Sequence, residues 1–281
     1  MKLLTEGSHS KIYVAEMKKP KKPVYIKILS NENQREKELN LAEISFLCLC
    51  KHPNIISFEK AILTTQKSKK SEPIYETWVV TEYVRGGDCE VLAKSRLLEE
   101  SHVAYIAREA LKGLAYLHER HFVHRDINPS NILVSVAGEV KITDFGQAAD
   151  VHDGPRYQMI GQPFYVSPEM IHRRGHDCVC DVWSLGAVLL ELFLGEPPIQ
   201  KSTVLCLFTT ATKGLLHLLP VRYSMNCQNF MGKCLETKDA QRVSSTELLK
   251  HPWVTQPNLT IPSSLLTSAF YENATVKQLL Y

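Results

Sequence analysis

"HFVHRDINPSNILVS", residues 121–135, crowds His124, Arg125 and Asp126 together and follows them with Asn128, Pro129 and Asn131, just ahead of an apolar run. Proline and asparagine punctuate chains, so the stretch reads as a turn feeding a strand. Upstream, in "SHVAYIAREALKGLAYLHERH", Val103, Ile106, Ala110, Leu114 and Leu117 recur on one helical face. Downstream, "ILVSVAGEVKIT" reads as a strand pair that leads into "DFG" at 144–146. A helix, a polar turn and a strand pair thus surround a cluster of ionisable and amide groups.

Further out, "VWSLGAVLLELFLG" is apolar all round, which predicts a buried helix, stopped by Gly195 and the Pro197–Pro198 pair. "SSTELL" carries a capping-box pattern, Ser244 with Glu247, ahead of a last helix. The final twenty-odd residues are expected to form a weakly ordered tail. Towards the N-terminus the pattern changes to strands. "KIYVAEM" and "PVYIKIL" flank a Lys/Pro turn, and "YETWVVTEYV" follows the polar loop "TTQKSKKSEP". One helix interrupts them: "NQREKELNLAEISFLCLC" aligns Leu39, Glu43, Phe46, Leu47 and Cys50 on one face. A carboxylate in an apolar stripe needs a partner. "RGGD" at 85–88 breaks the pattern and is expected to act as a hinge.

The chain has 281 residues, 44% of them hydrophobic, enough for one large domain or two lobes. A net charge of +3 argues against a nucleic-acid partner by bulk charge. No apolar run reaches the ~18 residues of a membrane span. Eight cysteines without C-x-x-C pairs fit reduced thiols, hence the cytoplasm, with the nucleus as the alternative.

"VYIK", "HRDINPSN", "DFG", "SPE" and "DVWSLG" occur in this order and resemble successive motifs of eukaryotic protein kinase domains over nearly the whole chain. The resemblance implies an α+β, bilobal fold. It has a small β-rich N-lobe with one main helix (1–84), a larger, mostly helical C-lobe (85–258) and a C-terminal tail (259–281). It implies ATP and Mg²⁺ as cofactors and a protein as substrate. Lys27 would contact the phosphates and pair with Glu43. Asp126 would accept the proton of the substrate hydroxyl, with Asn128 beside it. Asn131 and Asp144 would hold the metal. Gly7, Ile12, Ala15, Thr81, Glu82, Val84 and Leu133 would line the nucleotide, with Thr81 as gatekeeper and the backbone of Glu82 and Val84 facing adenine. His124, Phe145 and Leu47 would stack, Glu169 would pair with Arg242, and Asp181 would cap the catalytic-loop backbone. "IGQPFYVSPEMI", "LGEPP" and the tail "NLTIPSSLLTSAF" resemble the PAK group of serine/threonine kinases. There Asp88 and Glu196 lie near the expected docking place of a basic substrate segment. The match begins inside the first strand, so no preceding regulatory segment is expected.

Four departures bear on activity. The Gly-rich loop keeps only Gly7, with Thr5 and Ser10 at two glycine positions, which crowds the backbone approach to phosphate. Asn128 stands where a lysine would neutralise the γ-phosphate. Gln162 replaces a threonine, and an Asn128–Gln162 hydrogen bond is the expected substitute for the missing pair. Gln158 occupies the activation site, and residues 147–166 hold no serine or threonine, so Arg125 has no phosphothreonine to grip. The expected function is an ATP-dependent serine/threonine protein kinase without activation-loop Ser/Thr phosphorylation. The alternative is an ATP-binding pseudokinase or scaffold with little or no transfer.

Overall fold

Alternation along "KKPVYIKILS" sets the first sheet: Val24 and Ile26 are buried on one face, and Tyr25 and Lys27 take the other. The structure, a computed structural model, describes residues 1–6, 10–66, 74–199 and 202–279. The chain divides into two compact units, Met1–Val84 with Asp144–Gly146, and Arg85–Thr143 with Gln147–Tyr281.

The first unit holds β1 (Lys2–Glu6), β2 (Ser10–Lys18), β3 (Lys21–Ser30), α1 (Gln34–Leu49), β4 (Phe58–Gln66) and β5 (Ile74–Glu82). Its sheet runs β1-β2-β3-β5-β4, with every pair antiparallel. The hairpin between β2 and β3 is tight, with Lys18 opposite Lys21, so both strands run into the Lys/Pro stretch that the sequence marks as a turn. Val24, Ile26 and Val80 form a small core on one face, covered by Tyr13, Ala15, Met17, Ile28 and Trp78. The Asn33 side chain caps α1 by accepting from the Glu36 amide. The helix buries Glu43 and Leu47, and Cys50 beyond it is buried as well. Leu39 is 50% exposed, contrary to the predicted stripe: it lies a full turn before Glu43, past the part of the helix that meets the core.

The second unit begins with β6 (Gly86–Asp88), α2 (Cys89–Ser95), α3 (Glu100–His118), β7 (Phe122–Val123), β8 (Ile132–Ser135), β9 (Val140–Ile142) and β10 (Ala149–Asp150). It continues through α4 (Pro168–Ile171), α5 (Val179–Leu194), α6 (Thr203–Thr212), α7 (Met225–Cys234), α8 (Ser245–Leu248) and α9 (Ser263–Leu279). Val103, Ile106, Ala110, Leu114 and Leu117 of α3 are all buried, and α5 is buried on every side until Gly195 ends it in a left-handed conformation. Ser244 caps α8 by accepting from the Glu247 amide.

The expected weakly ordered tail fails in this unit, whereas "RGGD", expected as a hinge, stands at its start, directly after Val84 ends the first unit. "RGGD" contributes a strand paired with β8. A Cβ on Gly86 would lie 2.0 Å from the Val134 carbonyl oxygen, so glycine here serves close strand approach. In the C-terminal stretch α9, and not α8, is the last helix among the described residues, and it packs on α2 and β6 with Leu266 and Ala269 fully buried. The apolar spacing in "SSLLTSAF" supplies the reason, because a short amphipathic face suffices once a neighbour receives it.

Candidate active site

Lys27 projects from the central strand β3 and donates to two carboxylates, Glu43 Oε1 at 2.8 Å and Asp144 Oδ1 at 2.8 Å. Glu43 is the odd carboxylate of α1, 4% exposed, and Lys27 is the partner its burial requires. Burial pulls the Lys27 ammonium down, but the charges and hydrogen bonds of Glu43 and Asp144 outweigh it and hold the group protonated well above the ordinary lysine range. For Glu43, burial pushes the carboxyl up, against the opposing pull of Lys27. Asp144 has a left-handed backbone, φ 63°, and its Oδ1 also accepts from the Gly146 amide at 3.2 Å. Leu47 and Phe145 are both buried in this unit.

The second unit carries the other half of the predicted set. Asn128 Nδ2 donates to Asp126 Oδ1 at 3.1 Å, and Asn131 Nδ2 donates to Asp126 Oδ2 at 3.1 Å. Each amide also bonds the Asp126 main-chain carbonyl, at 3.1 and 2.9 Å. Asn128 Oδ1 accepts from the Ser130 amide, which caps the short 3₁₀ turn Pro129–Asn131. The expected Asn128–Gln162 hydrogen bond is therefore absent among the described residues, and Gln162 is exposed. A local bond to a residue two positions away costs less chain entropy than one to a distant loop, and it satisfies the buried Asn128 amide.

The turn itself is held from below. Asp181, fully buried, accepts from the amides of His124 at 2.7 Å and Arg125 at 2.8 Å and from His118 Nε2 at 3.1 Å, as the capping role requires. Burial would raise its carboxyl, but these hydrogen bonds and the nearby histidines hold it below the ordinary aspartate value. His124 bonds the Thr143 carbonyl through Nε2 at 3.0 Å, which leaves Nδ1 to accept from the Asp126 amide at 3.3 Å. Arg125 turns its Nε to the Gln147 carbonyl at 2.7 Å. Glu169 and Arg242 form a bidentate buried pair at 2.7 and 2.9 Å.

The remaining candidates fall as follows. Ile12 lies opposite Lys27, and Thr81 opposite Tyr25, so both take the Lys27 face of the sheet. Ala15 lies opposite Val24 and packs against the Val24–Ile26–Val80 core. Strand parity thus turns it away from Lys27 and removes it from the nucleotide set. The Glu82 amide bonds the Ser57 carbonyl, and its carboxylate accepts from the Ser57 amide. The Val84 carbonyl accepts from the Tyr25 hydroxyl at 3.1 Å, a contact the sequence reading missed. Leu133 is half-buried on β8 between Asp88 and Lys141. Gly7 lies outside the described residues. Asp88 caps α2 through the Val91 amide.

The protein kinase domain family matches residues 1–254. The chain belongs to the protein kinase family. The probable serine/threonine-protein kinase mkcC of Dictyostelium discoideum is 36% identical over 255 residues, covering 90% of this chain and 28% of the relative. The probable serine/threonine-protein kinase mkcB of the same organism is 38% identical over 250 residues, 89% of this chain and 34% of the relative. The serine/threonine-protein kinase STE20 of Saccharomyces cerevisiae is 33% identical over 255 residues, 89% of this chain and 26% of the relative. This kinase chain spans about a third of the length of the curated relatives it matches.

Proposed function

We propose that this chain is an ATP-dependent serine/threonine protein kinase of PAK-like character that works without Ser/Thr phosphorylation of its activation loop. The observation that carries the reading is the Lys27–Glu43–Asp144 triad, a buried ammonium kept charged beside a half-exposed carboxylate. In this reading Lys27 orients the α- and β-phosphates. Asp126 accepts the proton of the attacking hydroxyl, its two carboxylate oxygens fixed by the amides of Asn128 and Asn131.

A divalent cation fits the donor chemistry. The amide nitrogen of Asn131 faces Asp126, leaving Oδ1 without a hydrogen-bond partner among the described residues, and Asp144 supplies a carboxylate. Both are hard oxygen donors suited to Mg²⁺, which when bound neutralises charge on the phosphates. A basic segment of a protein substrate is the expected acceptor, with Asp88 and Glu196 as its acidic contacts. Eight free cysteines support a cytoplasmic or nuclear setting.

Asn128 favours a second reading, a kinase-shaped binding protein with little transfer, because it brings an amide and no charge to the reacting group. Incubation of a basic test protein with the chain and Mg²⁺-[γ-³²P]ATP, followed by phosphoamino-acid analysis, decides between them. Labelled phosphoserine or phosphothreonine is expected. An unlabelled acceptor supports the second reading.

A further inference from the structure

Ile12, Lys27 and Thr81 share one sheet face of the first unit, and a residue outside the nucleotide set stands among them. Tyr25 precedes Lys27 by two positions on β3, so the two side chains emerge on the same face about 7 Å apart. Thr81 lies opposite Tyr25 on β5, and Val14 opposite it on β2, next to the Ile12–Lys27 pair. The Tyr25 hydroxyl then reaches past the end of β5 and donates to the Val84 carbonyl at 3.1 Å. Its ring lies 5.0 Å from that of Tyr83, tilted by 56°.

A nucleotide whose base is read by the backbone of Glu82–Val84, and whose phosphates reach Lys27, must lie along the strip between those two places. The Tyr25 side chain spans that strip, from a strand position beside Lys27 to the Val84 carbonyl. We infer that Tyr25 is a built-in occupant of the purine position, competing with the base for the same space and the same backbone. Nucleotide binds only in the fraction of molecules whose Tyr25 has left Val84, so its apparent affinity falls by that fraction. The phosphate half of the site, at Lys27, is untouched. A partner or modification that draws Tyr25 away would therefore switch nucleotide binding on.

The inference rests on the nucleotide reading of the Lys27 face proposed above, and the experiment separates the two. Titration calorimetry measures ADP with Mg²⁺, and inorganic tripolyphosphate with Mg²⁺, against the native chain, Tyr25→Ala and Tyr25→Val; valine is a good strand residue, which guards the fold. Thermal melting confirms that each variant is folded. Lys27→Met is made in the native and Tyr25→Val backgrounds.

The expected result is that both Tyr25 variants bind ADP about tenfold tighter or more, with tripolyphosphate affinity unchanged. Folded Tyr25 variants that bind ADP no tighter than the native chain would overturn the inference, even where Lys27→Met weakens ADP binding and so upholds the nucleotide reading. An equal gain for tripolyphosphate would also overturn it, because Tyr25 would then act on the phosphate half. ADP binding indifferent to Lys27→Met in both backgrounds would overturn the nucleotide reading itself, and the inference with it.

Discussion

Asn128 donates its side-chain amide to Asp126 Oδ1 at 3.1 Å, so the carboxylate proposed as proton acceptor is steadied on this side by a neutral dipole. A cation there would hold the carboxylate and also stabilise charge on a transferring phosphoryl group; an amide does the first and not the second. Asn128→Ala removes the bond to Asp126 and the cap on Ser130. Its expected cost is about 1 kcal/mol of stability by urea denaturation and, from loss of orientation at Asp126, roughly a tenfold drop in transfer rate.

The ammonium of Lys27 offsets the burial of Glu43. In Lys27→Met the buried carboxyl loses the partner that lowers its pKa, so its folded value, already raised above the ordinary 4.5, rises further. A carboxyl with a raised folded pKa contributes stability that is fully present below 4.5 and lost as pH rises through the folded value. The stability deficit of Lys27→Met relative to the native chain therefore grows between pH 5 and pH 8, as followed by denaturation at several pH values. A deficit independent of pH would mean that Glu43 stays ionised without its partner.

His176 is 2% exposed, and neither ring nitrogen has a hydrogen-bond partner among the described residues. Burial, with Arg125 nearby, depresses its pKa below 6.5. The unfolded chain thus binds the proton first, so His176 contributes stability that is fully present above 6.5 and lost as pH falls through the folded value. Thermal melts of His176→Leu should lose less stability than the native chain between pH 7 and pH 5.

Arg242 donates to both carboxylate oxygens of Glu169 and to the carbonyls of Val179 and Glu236. Arg242→Met leaves a buried carboxylate unpaired and should cost about 3–5 kcal/mol in chemical denaturation. The double change Glu169→Leu with Arg242→Met removes the orphaned charge and should recover part of that loss.

Local chemistry explains which parts could be read from the chain. The Lys27–Glu43 pair was legible because a carboxylate in an apolar helical stripe demands a cation. The helix α3 was legible from its periodicity, and the buried helix α5 from its unbroken apolar run. The strand β4 was not: Ile62 and Leu63 are adjacent and both exposed, so "FEKAILTTQ" shows no alternation. The order of α9 depends on α2 and β6, which receive it. The bonding of Asn128 was not legible, because its nearest acceptor, Asp126, is set by the fold of the turn and not by residue type. Tyr25 hid in an ordinary strand pattern, since its hydroxyl meets an acceptor 59 residues away in sequence.

The most direct measurement compares single-turnover transfer of γ-phosphate from Mg²⁺-ATP to a basic protein substrate by the native chain and by Asp126→Asn. The substitution keeps the shape of the side chain and removes its ability to take a proton. The account predicts transfer by the native chain and a loss of about 10²-fold or more in the variant. Equal rates from the two proteins would contradict it.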